Sequence, residues 1–219
     1  MARVSVIVPV YNEAPYLRWC LDSIMAQTRR PDEVLVLVDE KTTDGSLSIA
    51  SGHPLRPQVL LGLKDTFTLQ HRGVLKASGD IVVNVDGDTY IAPDWIERAL
   101  VFLSNPSVVL VTGHIAPHIQ NATNEWICAY QNGNSGYLSG CSSAMRKSDY
   151  LRLCDMLGGP RNIEFAYYPF EKLGDVVKSP AMLAETDIPT TKQKLLFLGA
   201  GGALAGALAT LAVVSRKRK

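Results

Sequence analysis

Four runs of the chain are almost continuously apolar, and they limit the fold more than any other feature. They are Val4–Val8, Val34–Val38, Ile81–Val85 and Val108–Thr112. A strand with one face in water alternates apolar and polar residues, so a run that does not alternate must be covered on both faces. The segments between the runs have helical spacing. Tyr16, Leu17, Cys20, Leu21, Ile24 and Met25 recur at helical intervals, with Pro15 in a first-turn position. Thr43-Asp44-Gly45-Ser46 makes a turn before a short helix marked by Leu47, Ile49 and Ala50. Gln58–Leu61 reads as a further strand, Gly73–Ala77 lies in a helix, and Pro93–Ser104 forms another helix. Strands alternating with helices predict an α/β three-layer sandwich around a mostly parallel central sheet. In such sheets the ligand lies beyond the carboxyl ends of the strands. Three acid-bearing loops fall there: Tyr11-Asn12-Glu13, Asp39-Glu40 and Asp86-Gly87-Asp88. From Gly113 to Gly159 the pattern breaks into Gly-, Asn- and Ser-rich stretches, expected to be binding loops.

Charge narrows the partners. A net charge of +1 over 219 residues argues against nucleic acid, whose binders carry a basic excess. Cys20, Cys128, Cys141 and Cys154 form no Cys-x-x-Cys pair and read as reduced, buried residues. Met-Ala-Arg leads straight into the first strand, so no cleaved secretory signal is expected, and the sequon at Asn121-Ala122-Thr123 carries little weight. Leu195 to Val214 holds no charged residue and ends in Ser215-Arg216-Lys217-Arg218-Lys219. A run of about 20 apolar residues spans a bilayer as a helix; the other reading is a buried core helix. Gly202 and Gly206 would let two such helices approach closely, as in a homodimer. The expected organisation is a catalytic domain over 1–190, a transmembrane helix over 195–214 and a basic tail over 215–219.

Asp86-Gly87-Asp88 carries the chemistry. Ionised acids just past a buried strand need water, a cation or a basic partner. Mg²⁺ or Mn²⁺ suits them, since a hard cation takes one or two carboxylates plus phosphate oxygens. A solvated Asp-Gly turn is the plain alternative.

The order of segments resembles the family 2 glycosyltransferases with the GT-A, Rossmann-like fold. Their opening strand is similar to Val4-Ser5-Val6-Ile7-Val8-Pro9-Val10-Tyr11-Asn12-Glu13, and their nucleobase-binding turn to Asp39-Glu40-Lys41-Thr42-Thr43-Asp44-Gly45. The glycine-bearing helix before the metal motif is matched by Gly73, Ala77, Gly79 and Asp80, and Asp86-Gly87-Asp88 falls at the family's Asp-x-Asp. Gly140 to Arg146 resembles the acceptor-side segment, and Gly158-Gly159 the turn after it. The resemblance implies a metal-dependent, inverting transfer from a UDP- or GDP-linked sugar. It implies that Pro9, Tyr11, Glu13, Gly73 and Asp86 line the nucleotide-sugar site, with Asp39 on the base. It further implies that Asp88, with Asp86, takes the metal, that Gly140 and Arg146 face the acceptor, and that Glu164 in Asn162-Ile163-Glu164-Phe165 is the general base, with Asp155 and Glu171 as fallbacks.

The chain departs from the family pattern in places. Leu69-Gln70-His71 stands where the family shows Ala-Arg-Asn, so the cationic donor contact is missing or comes from Arg72 or Lys76. Phe165 replaces a second acid, and no Gln-x-x-Arg-Trp follows, which argues against a processive polymerase. Two other readings stand beside the enzyme. One is a degenerate transferase that binds a nucleotide-sugar without turnover. The other is a haloacid-dehalogenase-like phosphatase with Asp86 as nucleophile, which would need a later acidic pair near Gly174-Asp175. A membrane anchor makes a lipid-linked or glycan acceptor the expectation. The basic tail favours a catalytic domain outside, but cytosolic nucleotide-sugars favour one in the cytoplasm, which is the expected placement.

Overall fold

The computed structural model describes residues 2–63, 66–120, 122–133, 141–159 and 170–186. Strand β1 (Val4–Val10) is followed by α1 (Leu17–Met25), β2 (Glu33–Asp39), α2 (Ser46–Gly52), β3 (Gln58–Leu63) and α3 (Thr66–Lys76). Then come β4 (Ile81–Val85), β5 (Thr89–Ile91), α4 (Trp95–Leu103) and β6 (Val108–Pro117). The chain continues through α5 (Ala122–Gly133), β7 (Ser142–Arg146), α6 (Lys147–Leu157) and β8 (Asp175–Thr186).

The eight strands form one sheet in the order β3-β2-β1-β4-β7-β6-β8-β5. Its first half follows the sequence-based expectation, with β3, β2, β1 and β4 all parallel. The second half adds two reversals to it. Strand β7 runs antiparallel to both β4 and β6, and β5 antiparallel to β8, while β6 and β8 pair parallel, so the sheet is mixed, with β7 and β5 the reversed strands. The stretch from Gly113 to Gly159 is likewise not only loops, because it contains the end of β6, helices α5 and α6, and β7. Their Ser, Asn and Gly content hid them: β7 reads Ser-Ser-Ala-Met-Arg and owes its place to pairing with β4 and β6 rather than to its own propensity.

The uninterrupted apolar runs are explained by the two faces. On β1 and β2, Val4, Val6, Val8, Val10, Val34, Val36 and Val38 pack with Leu17, Leu21 and Ile24 of α1 and with Trp95, Ile96 and Ala99 of α4. The residues between them, Ile7, Leu35 and Leu37, pack on the other side with Leu69 and Val74 of α3 and Tyr150 and Leu153 of α6. Gly73 lets α3 lie close on that side. A Cβ there would stand 3.1 Å from both Ile7 Cγ2 and Leu37 Cδ1. Helix α6 stops at Gly158, whose φ of 72° is left-handed, and the Gly159 N–H donates to the Cys154 carbonyl.

Among the described residues no helix is long and apolar enough to cross a membrane. The span expected at 195–214 and its dimer contact at Gly202 and Gly206 lie outside the described residues.

Candidate active site

The carboxyl ends of β1, β2 and β4 bring three loops together. After β1, the Asn12 side chain accepts from the Thr43 N–H at 2.9 Å, and Asn12 itself holds a positive φ of 55°. The Asp44 carboxylate accepts from the Ala14 N–H at 2.9 Å and from the Ser46 N–H at 3.0 Å, while the Ser46 hydroxyl accepts from the Glu13 N–H at 2.9 Å. Burial raises the Asp44 pKa, but the bonds from Ser46 and Ala14 outweigh it and hold the group below its ordinary value. The β1–α1 and β2–α2 loops are thus laced into one wall. Asp39 ends β2 almost buried, accepting from the Lys41 N–H at 2.8 Å, and Tyr11 projects half-exposed beside it.

The Asp86-Gly87-Asp88 loop sits against this wall. Gly87 is required by close approach, since a Cβ would lie 3.1 Å from Glu13 Cγ and 3.3 Å from the Pro9 carbonyl oxygen. The Asp86 N–H donates to the Cys141 carbonyl at 3.0 Å, and its own carbonyl accepts from the Thr89 N–H at 2.9 Å and from the Cys20 thiol at 3.4 Å. Thr186, the last residue of β8, donates through Oγ1 to the Asp88 carboxylate at 3.4 Å, and Thr89 Oγ1 donates to the same oxygen at 3.3 Å. Backbone and hydroxyls therefore fix the loop and leave the carboxylates to define its chemistry.

Those carboxylates are held at an electrostatic cost. Burial, and then the neighbouring Asp88, push Asp86 up to about 8, against a bond from the Asn84 side chain that favours the ionised form. Burial and the two acids also keep the Cys20 thiol protonated, its pKa raised well above the ordinary value. Asp86 Oδ1 is buried and accepts no hydrogen bond from the described residues. An orphaned carboxylate oxygen beside a second acid fits a divalent cation, which would relieve both. No group of three His, Cys, Asp or Glu gathers among the described residues. Among the described residues the loop could offer such a cation two carboxylates, a donor set that suits Mg²⁺ or Mn²⁺ sharing its shell with phosphate oxygens and water.

The structure thus brings Pro9, Tyr11, Glu13, Asp39, Asp86 and Asp88 to one end of the sheet. Two other expected residues lie elsewhere. Gly73 is packed under α3 against the sheet, where it sets a helix-to-strand distance. Arg146 pairs in register with Ile81, at the amino end of β4, and its guanidinium donates to the carbonyls of Leu103, Asn105 and Val108 and to Asp149. It caps α4 and anchors α6, away from the acidic loop. His71, from the Leu69-Gln70-His71 departure, has its ring Nδ1 3.2 Å from the Tyr150 hydroxyl. Glu164 and Gly140 lie outside the described residues. Asp175, the acid a phosphatase reading would recruit, pairs with Val108 at the opposite end of the sheet, where it accepts from the Ser107 hydroxyl. Cys20, Asn84, Cys141 and Thr186 support the loop without having been singled out for it.

Comparison with known proteins agrees with this geometry. Residues 5–152 match the family described as glycosyl transferase family 2. The chain is similar to glycosyltransferase AglE of Haloferax volcanii, 34% identical over 119 residues that make up 51% of this chain and 39% of that protein. It is also similar to an N-acetylglucosaminyltransferase of Sinorhizobium fredii, 32% identical over 57% of this chain and 31% of that protein. The chain thus matches well under half the length of these relatives. Among solved structures, a mannosyltransferase of Pyrobaculum calidifontis in complex with GDP-Man and Mn²⁺ superposes with a TM-score of 0.65, at 23% identity over 87% of this chain and 58% of that one. Glucosyl-3-phosphoglycerate synthase of Mycobacterium tuberculosis, in complex with Mn²⁺, UDP-glucose and phosphoglyceric acid, gives 0.65 at 18% identity over 91% of this chain and 75% of that one. At these identities the likeness shows a shared GT-A-like fold.

Proposed function

We propose that this chain, which belongs to glycosyl transferase family 2, moves a sugar from a nucleoside diphosphate sugar onto an acceptor hydroxyl or phosphate, with inversion and with Mg²⁺ or Mn²⁺. The observation that carries the reading is the acidic loop at the sheet's carboxyl end, with Asp86 Oδ1 buried beside Asp88 and unpartnered among the described residues. Solved proteins of the same fold hold GDP-Man or UDP-glucose together with Mn²⁺.

The chain's residues divide the work. Pro9, Tyr11, Glu13 and Asp39 form the wall for the nucleoside, and Asp39 is poised to accept from the base. Asp88 and Asp86 would hold the divalent cation, which when bound supplies neutralising charge for the departing diphosphate. Glu164 takes the proton from the acceptor oxygen as that oxygen bonds to the anomeric carbon. The anomeric carbon–phosphate oxygen bond breaks on the opposite face, and its electron pair leaves with the nucleoside diphosphate, so the centre inverts.

The test is turnover of a panel of UDP- and GDP-sugars by the full chain, with Mn²⁺ or Mg²⁺ against EDTA, read as nucleoside diphosphate release. The expected result is metal-dependent release that both Asp88→Ala and Glu164→Ala abolish. Binding of a nucleotide-sugar without release to any acceptor would favour the degenerate reading. A folded chain that neither binds nor turns over any nucleotide-sugar would refute both. Residues 195–214 are proposed to anchor the enzyme in a membrane with the catalytic domain in the cytoplasm, near a lipid-linked or glycan acceptor. Full chain recovered in the supernatant after membranes are pelleted would sink that placement.

A further inference from the structure

A run of touching rings borders the site where β8 ends. The Trp19 indole of α1 stacks on the Tyr90 ring of β5, with 5.2 Å between centroids and 25° between planes. The His118 imidazole, just past β6, lies 4.5 Å from the same indole, and Tyr16 meets His118 edge-on at 5.9 Å. The His118 N–H donates to the Thr186 carbonyl at 2.8 Å, and the Thr186 hydroxyl bonds Asp88. Tyr90 itself stands two residues beyond Asp88, on the strand at the edge of the sheet.

These rings are not sealed in a core. His118 is exposed, and Trp19 and Tyr90 are half-buried. Ile119, the residue after His118, is 49% exposed, and Leu183 is 41% exposed. The Leu183 carbonyl accepts from the Ala92 N–H and Tyr90 pairs with Glu185, so Leu183 and Tyr90 share a face of the β5–β8 ribbon. Aromatic and aliphatic side chains thus surface together around the last residues of β8. Apolar groups gathered on a surface mark the place of a partner. Rings with polar edges suit the boundary between water and hydrocarbon, where Trp and Tyr are enriched.

Chain length names the occupant. Strand β8 ends at Thr186 and the uncharged run begins at Leu195, so eight residues, 187–194, separate them. Fully extended, such a tether reaches about 30 Å. A domain of this size is about 40 Å across. If 195–214 spans a bilayer, the carboxyl end of β8 is within reach of its surface and the amino end of the sheet is not. We infer that the face formed by Trp19, Tyr90, His118, Ile119 and Leu183 rests in the headgroup region of a lipid bilayer. The inference rests on the proposed anchor and goes beyond it by assigning which end of the domain meets the membrane. It sets the acidic loop beside the lipid surface, so a lipid-borne acceptor approaches from the β5–β8 side without leaving the bilayer.

The experiment places the full chain in phosphatidylcholine vesicles, with or without bromine on the lipid chains, and reads tryptophan emission. Trp126 is itself exposed, so Trp126→Phe leaves Trp19 as the reporter beside Trp95, which is fully buried. Brominated lipid is expected to remove most of the Trp19 emission, and adding Trp19→Phe should abolish the quenched component. Ile119→Asp with Leu183→Asp should weaken the quenching while the chain still sediments with the vesicles. A reporter at the other end, Val101→Trp in the chain lacking Trp19 and Trp126, should keep its emission. Val101 is exposed near the end of α4, where Arg146 holds the Leu103 carbonyl. An unaltered circular dichroism spectrum and melting temperature show that each variant folds. A chain that sediments with the vesicles, but whose Trp19 emission bromine affects no more than that of Val101→Trp, overturns the face and leaves the anchor standing. A chain that stays in the supernatant removes the anchor, and this face with it.

Discussion

Asp86 should make the metal-free protein less stable as the pH rises. Its folded pKa lies above the ordinary value of 3.8, at about 8, because burial and Asp88 oppose ionisation. Below about pH 4 the group is protonated in both folded and unfolded chains and costs nothing. Between the two values the folded chain holds a proton that the unfolded chain has lost, so stability falls by about 1.4 kcal/mol per pH unit. From pH 5 to 7 the fall is about 2.7 kcal/mol, shared by the Asp86–Asp88 pair, which titrates as a unit. For a domain of this size that corresponds to roughly 5–11 °C in Tm. The assay is thermal or urea unfolding of the full chain in EDTA at pH 5, 6 and 7, with Asp86→Asn alongside. Asp86 Oδ1 accepts no bond from the described residues, so the amide forfeits little at that oxygen and removes the titration. Groups common to both proteins cancel in the difference, which should open by about 2–3 kcal/mol in favour of Asp86→Asn as the pH rises. Adding Mn²⁺ with UDP or GDP should close the gap from the wild-type side, because the cation binds the ionised pair. Parallel wild-type and variant profiles between pH 5 and 7 would refute the reasoning.

Three further predictions concern the frame around the site. Arg146→Met should cost about 2–3 kcal/mol in urea unfolding, since it strips charged donors from three carbonyls and leaves Asp149 with its weaker partner Arg152; a raised KM for the acceptor with unchanged stability would contradict the placement of this residue. Gly73→Ala should cost about 1–3 kcal/mol by overpacking against Ile7 and Leu37, while nucleotide affinity is retained. Gly113→Ala is expected to prevent folding or lower Tm severely, because its Cβ would run into the Met182 carbonyl and stand 2.8 Å from Trp95 Nε1; soluble expression with a near-native melting curve would show that β8 can move aside.

The first half of the sheet could be read from the sequence because each strand there is covered on both faces and says so in its composition. Val4 to Val10 is buried throughout, and β2 is buried at all but its first residue. The acidic loops could be read for the same reason, since acids directly after such strands have few places to go. The second half was opaque. Strand β7 contains two serines and an arginine, and its antiparallel direction is set by partners 60 residues away in β4 rather than by any local signal. Arg146 was misplaced because strand direction decides which end of β7 meets the site. Reversal puts Cys141 beside Asp86 and sends Arg146 to the far end.

The reversed β7 also sets an order of events. The parallel pairs β1–β2 and β2–β3 join strands that are neighbours in the chain, and their contacts close short loops early in folding. The bond from the Asp86 amide to Cys141 closes a loop of more than fifty residues, so the acidic loop stays unfastened until β7 docks. A nascent or partly unfolded chain can therefore present the nucleoside wall while lacking an assembled metal pair. Amide exchange at Asp86 should then report the docking of β7, and protection at Val6 or Val36 should appear before it.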